Sequence, residues 1–122
     1  MTYFEVTAAL AFSIFSTATV DVAVIEVGLG GRLDATNVVE AAVSVVTGVD
    51  IDHTEYLGNT IESIATEKVA ILKNDGTLVT GPLPEEAIGP VTRRVAETNA
   101  NWVKSDEAFG ILDSTIGVGG WQ

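Results

Sequence analysis

The sequence predicts an α/β domain with a mostly parallel sheet flanked by helices. Two apolar runs carry that prediction, one from Val22 to Val27 and one from Ala41 to Val49. Neither alternates with period two, which is the pattern of strands buried on both faces. Stretches of helical spacing surround them, and the full order reads helix, strand, strand, helix, strand, helix, strand.

The 122 residues are one domain's worth, and the 47% hydrophobic content is enough for a core. Six Lys plus Arg face seventeen Asp plus Glu, a formal charge of -11. So acidic a surface repels phosphate backbones and anionic lipid, which disfavours nucleic-acid and membrane partners. The absence of cysteine excludes a disulfide scaffold, a thiol nucleophile and a thiolate metal site. The single histidine excludes a multi-histidine zinc centre within the chain. The start, Met1-Thr2-Tyr3-Phe4-Glu5, lacks a basic n-region, and the apolar stretch from Val6 to Phe15 is too short to span a bilayer. A soluble cytoplasmic protein is expected.

Thr2 with Glu5 three residues on reads as a capping box opening an amphipathic helix. Its apolar face joins the rows Val6, Leu10, Ile14 and Phe4, Ala8, Ala11, Phe15, and Ser16–Thr19 ends it. The Val22–Val27 run leads into the loop Gly28-Leu29-Gly30-Gly31-Arg32. The Ala41–Val49 run ends in Asp50-Ile51-Asp52-His53. Thr60 caps a helical pattern reaching Lys73, and Thr77–Thr80 is a short strand closed by Gly81-Pro82. Pro84–Asn99 has helical spacing that Gly89-Pro90 should kink or split. Trp102–Lys104 reads as a further strand, and Gly117–Gln122 shows no clear stop.

Glu26 is anomalous, since a carboxylate inside a buried strand is costly unless paired, protonated or bound to metal. Two readings stand: an ion pair with an arginine such as Arg32, or a ligand role at the carboxyl end of the strand, where α/β proteins place their sites. Asp50, Asp52 and His53 occupy the same end of the next strand. Oxygen donors with one nitrogen suit Mg²⁺ or Mn²⁺, although a lone histidine is more often structural. Lys68 falls on the apolar stripe Ile61, Ile64, Ala65, Val69, Leu72. A desolvated lysine has a larger neutral fraction, and only the neutral amine reacts with CO₂ to give a carbamate. The competing reading is a lysine that snorkels to water. Gly28-Leu29-Gly30-Gly31 is not Gly-x-Gly-x-x-Gly, and no Gly-x-x-x-x-Gly-Lys-Ser/Thr loop is present, so a nicotinamide-binding domain is disfavoured. Asp34 and Asn37 read either as turn and cap residues or as ligand contacts.

Three segments together resemble one family. These are Glu26-Val27-Gly28-Leu29-Gly30-Gly31-Arg32-Leu33-Asp34-Ala35-Thr36-Asn37, then Asp52-His53-Thr54-Glu55-Tyr56-Leu57-Gly58, then Glu67-Lys68. In order and spacing they are similar to the folylpolyglutamate synthase/dihydrofolate synthase family of the Mur ligase superfamily. The resemblance is strong from Thr2 to Pro82 and faint beyond, and Val69-Ala70-Ile71 departs from the family's Ala-Gly-Ile. It implies part of a Mur-ligase-type central ATPase domain, residues 1–122, with the family's upstream phosphate loop and its carboxyl-terminal domain missing.

By that resemblance, Glu26 and His53 are Mg²⁺ ligands and Lys68 is the lysine that the family carbamylates. Thr2, Tyr3, Phe4, Glu5 and Asp34 match positions lining the pterin site. The implied reaction uses ATP to convert the carboxylate of a dihydropteroate or tetrahydrofolate substrate to an acyl phosphate, which the amine of L-glutamate attacks. The parent enzyme is expected to be a monomer, and the isolated chain is expected to be inactive. Two alternatives remain: a non-catalytic α/β module that binds a ligand or partner protein, and a fragment of a cell-wall Mur ligase. The Gly-Leu-Gly-Gly-Arg-Leu-Asp-Ala-Thr-Asn run argues against the second.

Overall fold

The computed structural model describes residues 1–105, 107–110, 116–117 and 120–121, the last four by their backbone alone. The helix at the start, α1 (Tyr3–Thr17), is capped as the sequence predicts. Thr2 Oγ1 accepts from the Glu5 N–H at 3.2 Å, and Glu5 Oε2 accepts from the Thr2 N–H at 2.6 Å. Its apolar face is another matter. Val6, Leu10 and Ile14 stay largely exposed, and Ala8 alone is buried. The helix touches the rest of the chain mainly around a 3-10 turn at Ala35–Val38, which leaves that row no surface to pack against.

Val22–Val27 is not the buried strand that its apolar run predicts; it runs as an irregular segment with no ladder partner among the described residues. A buried parallel strand needs a neighbour to take its backbone groups. None of the described strands lies beside this one, and Val22 and Val24 are exposed.

The sheet is built from β1 (Val43–Val46), β2 (Thr77–Thr80) and β3 (Asn101–Lys104), all parallel and in chain order. Val43, Thr77 and Asn101 share one register row, and Val46, Thr80 and Lys104 another. Short α2 (Thr54–Leu57) and then α3 (Ile61–Val69) connect β1 to β2, and α4 (Glu85–Thr98) connects β2 to β3. With strands in chain order, crossovers of one hand set their helices on one face. The core gathers there: Val46 and Leu78 meet Ile64, Leu72, Ala87 and Val91, the last five wholly buried. Val43 and Val45, on the opposite face, are 55% and 54% exposed.

Ser44 and Thr80, both buried, find partners, whereas the buried Arg94 Nε has none among the described residues. Ser44 Oγ donates to the Ile71 carbonyl at 3.2 Å, and Thr80 Oγ1 accepts from Trp102 Nε1 at 3.0 Å. Helix α3 ends at Val69, short of the expected Lys73. Helix α4 is not split at Pro90. Proline removes one helical N–H bond there, while Ala87 and Val91 on either side anchor the helix in the core. The sequence showed no hairpin at the end of the chain, yet β4 (Ile116–Gly117) pairs antiparallel with β5 (Gly120–Trp121). Of the terminal run, Val118, Gly119 and Gln122 lie outside the described residues.

Candidate functional site

The glycine loop is where the candidate residues meet. At its start, the Phe4 ring lies over Gly28 so closely that a Cβ there would fall 2.6 Å from Phe4 Cζ. At its other end, Gly31 lies against the Glu67 and Lys68 carbonyls on α3. Arg32 fastens this contact twice, its N–H donating to the Glu67 carbonyl at 3.0 Å and its Nε to Glu67 Oε1 at 2.8 Å. The sequence offered Arg32 as a partner for Glu26; the structure pairs it with Glu67 instead. Glu26 is exposed and forms no salt bridge among the described residues.

Asp34 organises the loop from within. Its Oδ2 accepts from the N–H groups of Gly28 and Leu29, both at 3.0 Å, and its Oδ1 accepts from the N–H of Thr36 at 2.9 Å and from the Thr36 hydroxyl. Partial burial pushes the carboxyl pKa up, but these bonds favour the charged form and together hold it below the usual carboxylate value. Asn37 is similarly engaged. Its Nδ2 donates to the Arg32 carbonyl at 3.1 Å, and Lys73 Nζ donates to its carbonyl and Oδ1 at 2.8 and 2.9 Å.

A cleft of about 400 Å³ opens at the carboxyl end of β1, bordered by Thr47, Asp50, Asp52, Lys68 and Pro82. Lys68 therefore borders the same space as Asp50 and Asp52. Of the other residues that the sequence singled out, neither His53 nor Glu26 is among its lining. His53 takes a left-handed conformation with φ of 50° and lies 3.4 Å from Asp52, its imidazole 57% exposed. Tyr3 is 86% exposed, and the Thr2 and Glu5 side chains each accept from the other's backbone N–H in the cap.

Among the described residues, no three His, Cys, Asp or Glu side chains stand close enough to hold a metal ion by themselves. Asp50 and Asp52, which border the cleft together with Lys68, carry hard carboxylate oxygens, the right kind for Mg²⁺. An ammonium at Lys68 opposes a cation there, whereas a carbamate would add the missing oxygen. The contributions of Thr47 and Pro82 were not read from the sequence. The rule that sites gather at the carboxyl ends of parallel strands would have found both.

Among known proteins the chain is similar to one group. The chain is 44% identical to a folylpolyglutamate synthase of Lacticaseibacillus casei over 111 residues, which are 91% of this chain and 26% of that protein. It is 41% identical to a dihydrofolate synthase/folylpolyglutamate synthase of Mycobacterium tuberculosis, over 98% of this chain and 26% of that one. The family it resembles is that of the folylpolyglutamate and dihydrofolate synthases. Among solved structures, a folylpolyglutamate synthase complex with AMPPCP and folate superposes with a TM-score of 0.94 at 42% identity. That match covers 99% of this chain and 30% of the other. The Mycobacterium tuberculosis folylpolyglutamate synthase complexed with ADP and AMPPCP gives 0.90 at 42% identity, covering 99% of this chain and 28% of that one. No protein-family model matches the chain. The chain thus spans about a quarter of the length of the synthases it matches. No helix among the described residues is long and apolar enough to cross a membrane.

Proposed function

We propose that residues 1–122 form part of the central ATPase domain of an ATP-dependent ligase that joins glutamate to dihydropteroate or tetrahydrofolate. The observation that carries this reading is the convergence on the glycine loop. Phe4 and Asp34 both bear on Gly28, while Gly31 rests on the turn of α3 that holds Lys68. Residues far apart in sequence thus frame one wall between a substrate side, Thr2 to Glu5 with Asp34, and a phosphate side at Lys68. The likeness to a synthase solved with AMPPCP and folate supports a ligase that uses a nucleotide and a folate.

On the phosphate side, the neutral amine of Lys68 attacks CO₂, forming an N–C bond and releasing a proton to water. The product is a carbamate whose oxygens, with Glu26 and His53, would hold Mg²⁺. Held by those residues, the ion would supply positive charge to offset that of the phosphoryl group during transfer. The substrate carboxylate takes the γ-phosphoryl group of ATP, ADP leaves, and the glutamate amine then displaces phosphate to form the amide. The chain spans about a quarter of the synthases it matches, and on this reading the isolated 122 residues make no such bond.

The test is a graft. Residues 2–82 replace the matching segment of the Lacticaseibacillus casei synthase, and ATP-dependent addition of glutamate to folate is measured. Activity is expected to survive, and Lys68→Ala in the graft is expected to lower kcat about 100-fold, a few kcal/mol of transition-state stabilisation. A folded graft without activity, or one indifferent to Lys68, overturns the reading. Glutamate addition by the isolated chain would overturn the claim of its inactivity.

A further inference from the structure

We propose that Asp34 is a positioning residue of this site, acting through the glycine loop that its carboxylate holds in place. The proposal rests on the functional reading above in one respect only, that the loop borders the working site.

A carboxylate offers about four lone-pair directions, and four donors meet Asp34 here: two loop N–H groups on one oxygen, and the N–H and hydroxyl of Thr36 on the other. Each oxygen serves a different piece of backbone. One grips the loop and the other grips the 3-10 turn at Ala35–Val38, so a single side chain clamps the two together. The turn is itself moored, because Asn37 is held by Lys73 Nζ and donates to the Arg32 carbonyl. Arg32 in turn is bonded to Glu67, the neighbour of Lys68. A continuous run of polar contacts therefore leads from the Gly28 N–H to the helix bearing the candidate carbamate.

The N–H groups of Gly28 and Leu29 make no backbone hydrogen bond among the described residues. Their fixed protein partner is Asp34, and Glu26 stands two residues before Gly28. Releasing the clamp frees the backbone that sets Glu26 on one side and the Phe4 contact on the other. A purely local cap would touch the Thr36 end alone; Asp34 spans both.

Asp34→Asn tests this at nearly constant volume. An amide keeps one acceptor oxygen and turns an NH₂ donor towards N–H groups, so at least one half of the clamp is lost. In the 122-residue chain, amide exchange at Gly28 and Leu29 is expected to speed up about tenfold or more. Exchange at Leu78 and Val79 in β2 should rise no further than any fall in global stability requires. Mn²⁺, followed by paramagnetic broadening at Val27 and Gly28, is expected to bind about tenfold more weakly in the variant, as when a supporting residue behind a metal ligand is lost. Unchanged exchange at Gly28 and Leu29 overturns the proposal, as does acceleration spread evenly over the sheet. If wild type shows no Mn²⁺ broadening, the metal reading fails, while the exchange data still decide the role of Asp34. Should Asp34→Asn fail to fold, Thr36→Val removes one bond from the other end. The same exchange readout then applies, with a smaller rise expected at Gly28 and Leu29.

Discussion

Gly31 lies so close to Glu67 that a Cβ at position 31 would fall 2.5 Å from the Glu67 carbonyl oxygen. The Lys68 carbonyl and Ile71 Cγ2 would each be 3.0 Å away. Two of these three neighbours are helix backbone, which cannot rotate aside as a side-chain tip can.

Gly31→Ala is therefore expected to push the glycine loop off α3 and to cost about 1–3 kcal/mol of stability, the range for overpacked sites. Urea denaturation measures the loss. A midpoint equal to that of the parent would show that the loop does not rest on the helix.

Asp34 makes stability depend on pH in a defined direction. Its folded pKa lies below the unfolded value, so its bonds contribute fully above about pH 4 and are lost as pH falls through the folded value. The stability gap between wild type and Asp34→Asn should stay constant from pH 7 to about pH 5 and close in more acid solution. A gap that persists unchanged at the acid end would contradict the charged clamp. Urea titrations at a series of pH values give the answer.

Leu72 has no exposed surface and belongs to the same buried cluster as Ile64 and Leu78. Leu72→Ala is expected to lower the unfolding free energy by about 2–5 kcal/mol. Val43→Ala, on the exposed side of β1, should change it far less. Equal losses at the two positions would mean that the core is not where the helices lie.

The Thr80 hydroxyl accepts the indole N–H of Trp102, and Thr80 is 1% exposed. Thr80→Val strands that donor and is expected to cost about 1–3 kcal/mol. Removing both partners in Thr80→Val with Trp102→Phe should recover part of the loss, because neither group is then left unsatisfied. A double variant as unstable as the sum of the singles would show that the bond contributes nothing.

The sequence made some of this legible and hid the rest. The Thr2–Glu5 cap, β2 and the helix starting at Thr60 were readable because their determinants are local: a hydroxyl three residues before a carboxylate, four β-prone residues, a cap before an apolar stripe. Of the two apolar runs that predicted the parallel sheet, Ala41–Val49 supplied a strand, Val43–Val46. Val22–Val27 misled because an apolar run records what a segment is suited to pair with, and pairing requires a neighbour that the described strands do not supply. Pro90 misled for the opposite reason, since burial of Ala87 and Val91 outweighs one missing hydrogen bond. At the site, Asp34 and Lys68 stood out by residue type and position. The clamp on Gly28 and Leu29 was invisible, because it depends on a loop conformation that no spacing rule encodes.

The strand order has a bearing on how the chain is made. Because β1, β2 and β3 lie side by side in the order of synthesis, each new strand docks on one already emerged from the ribosome. Each pairing in that sheet waits only for the next strand in the chain, one helical crossover further on. The sheet from residue 43 to 104 is thus suited to growing progressively during translation, as a seam closes from one end.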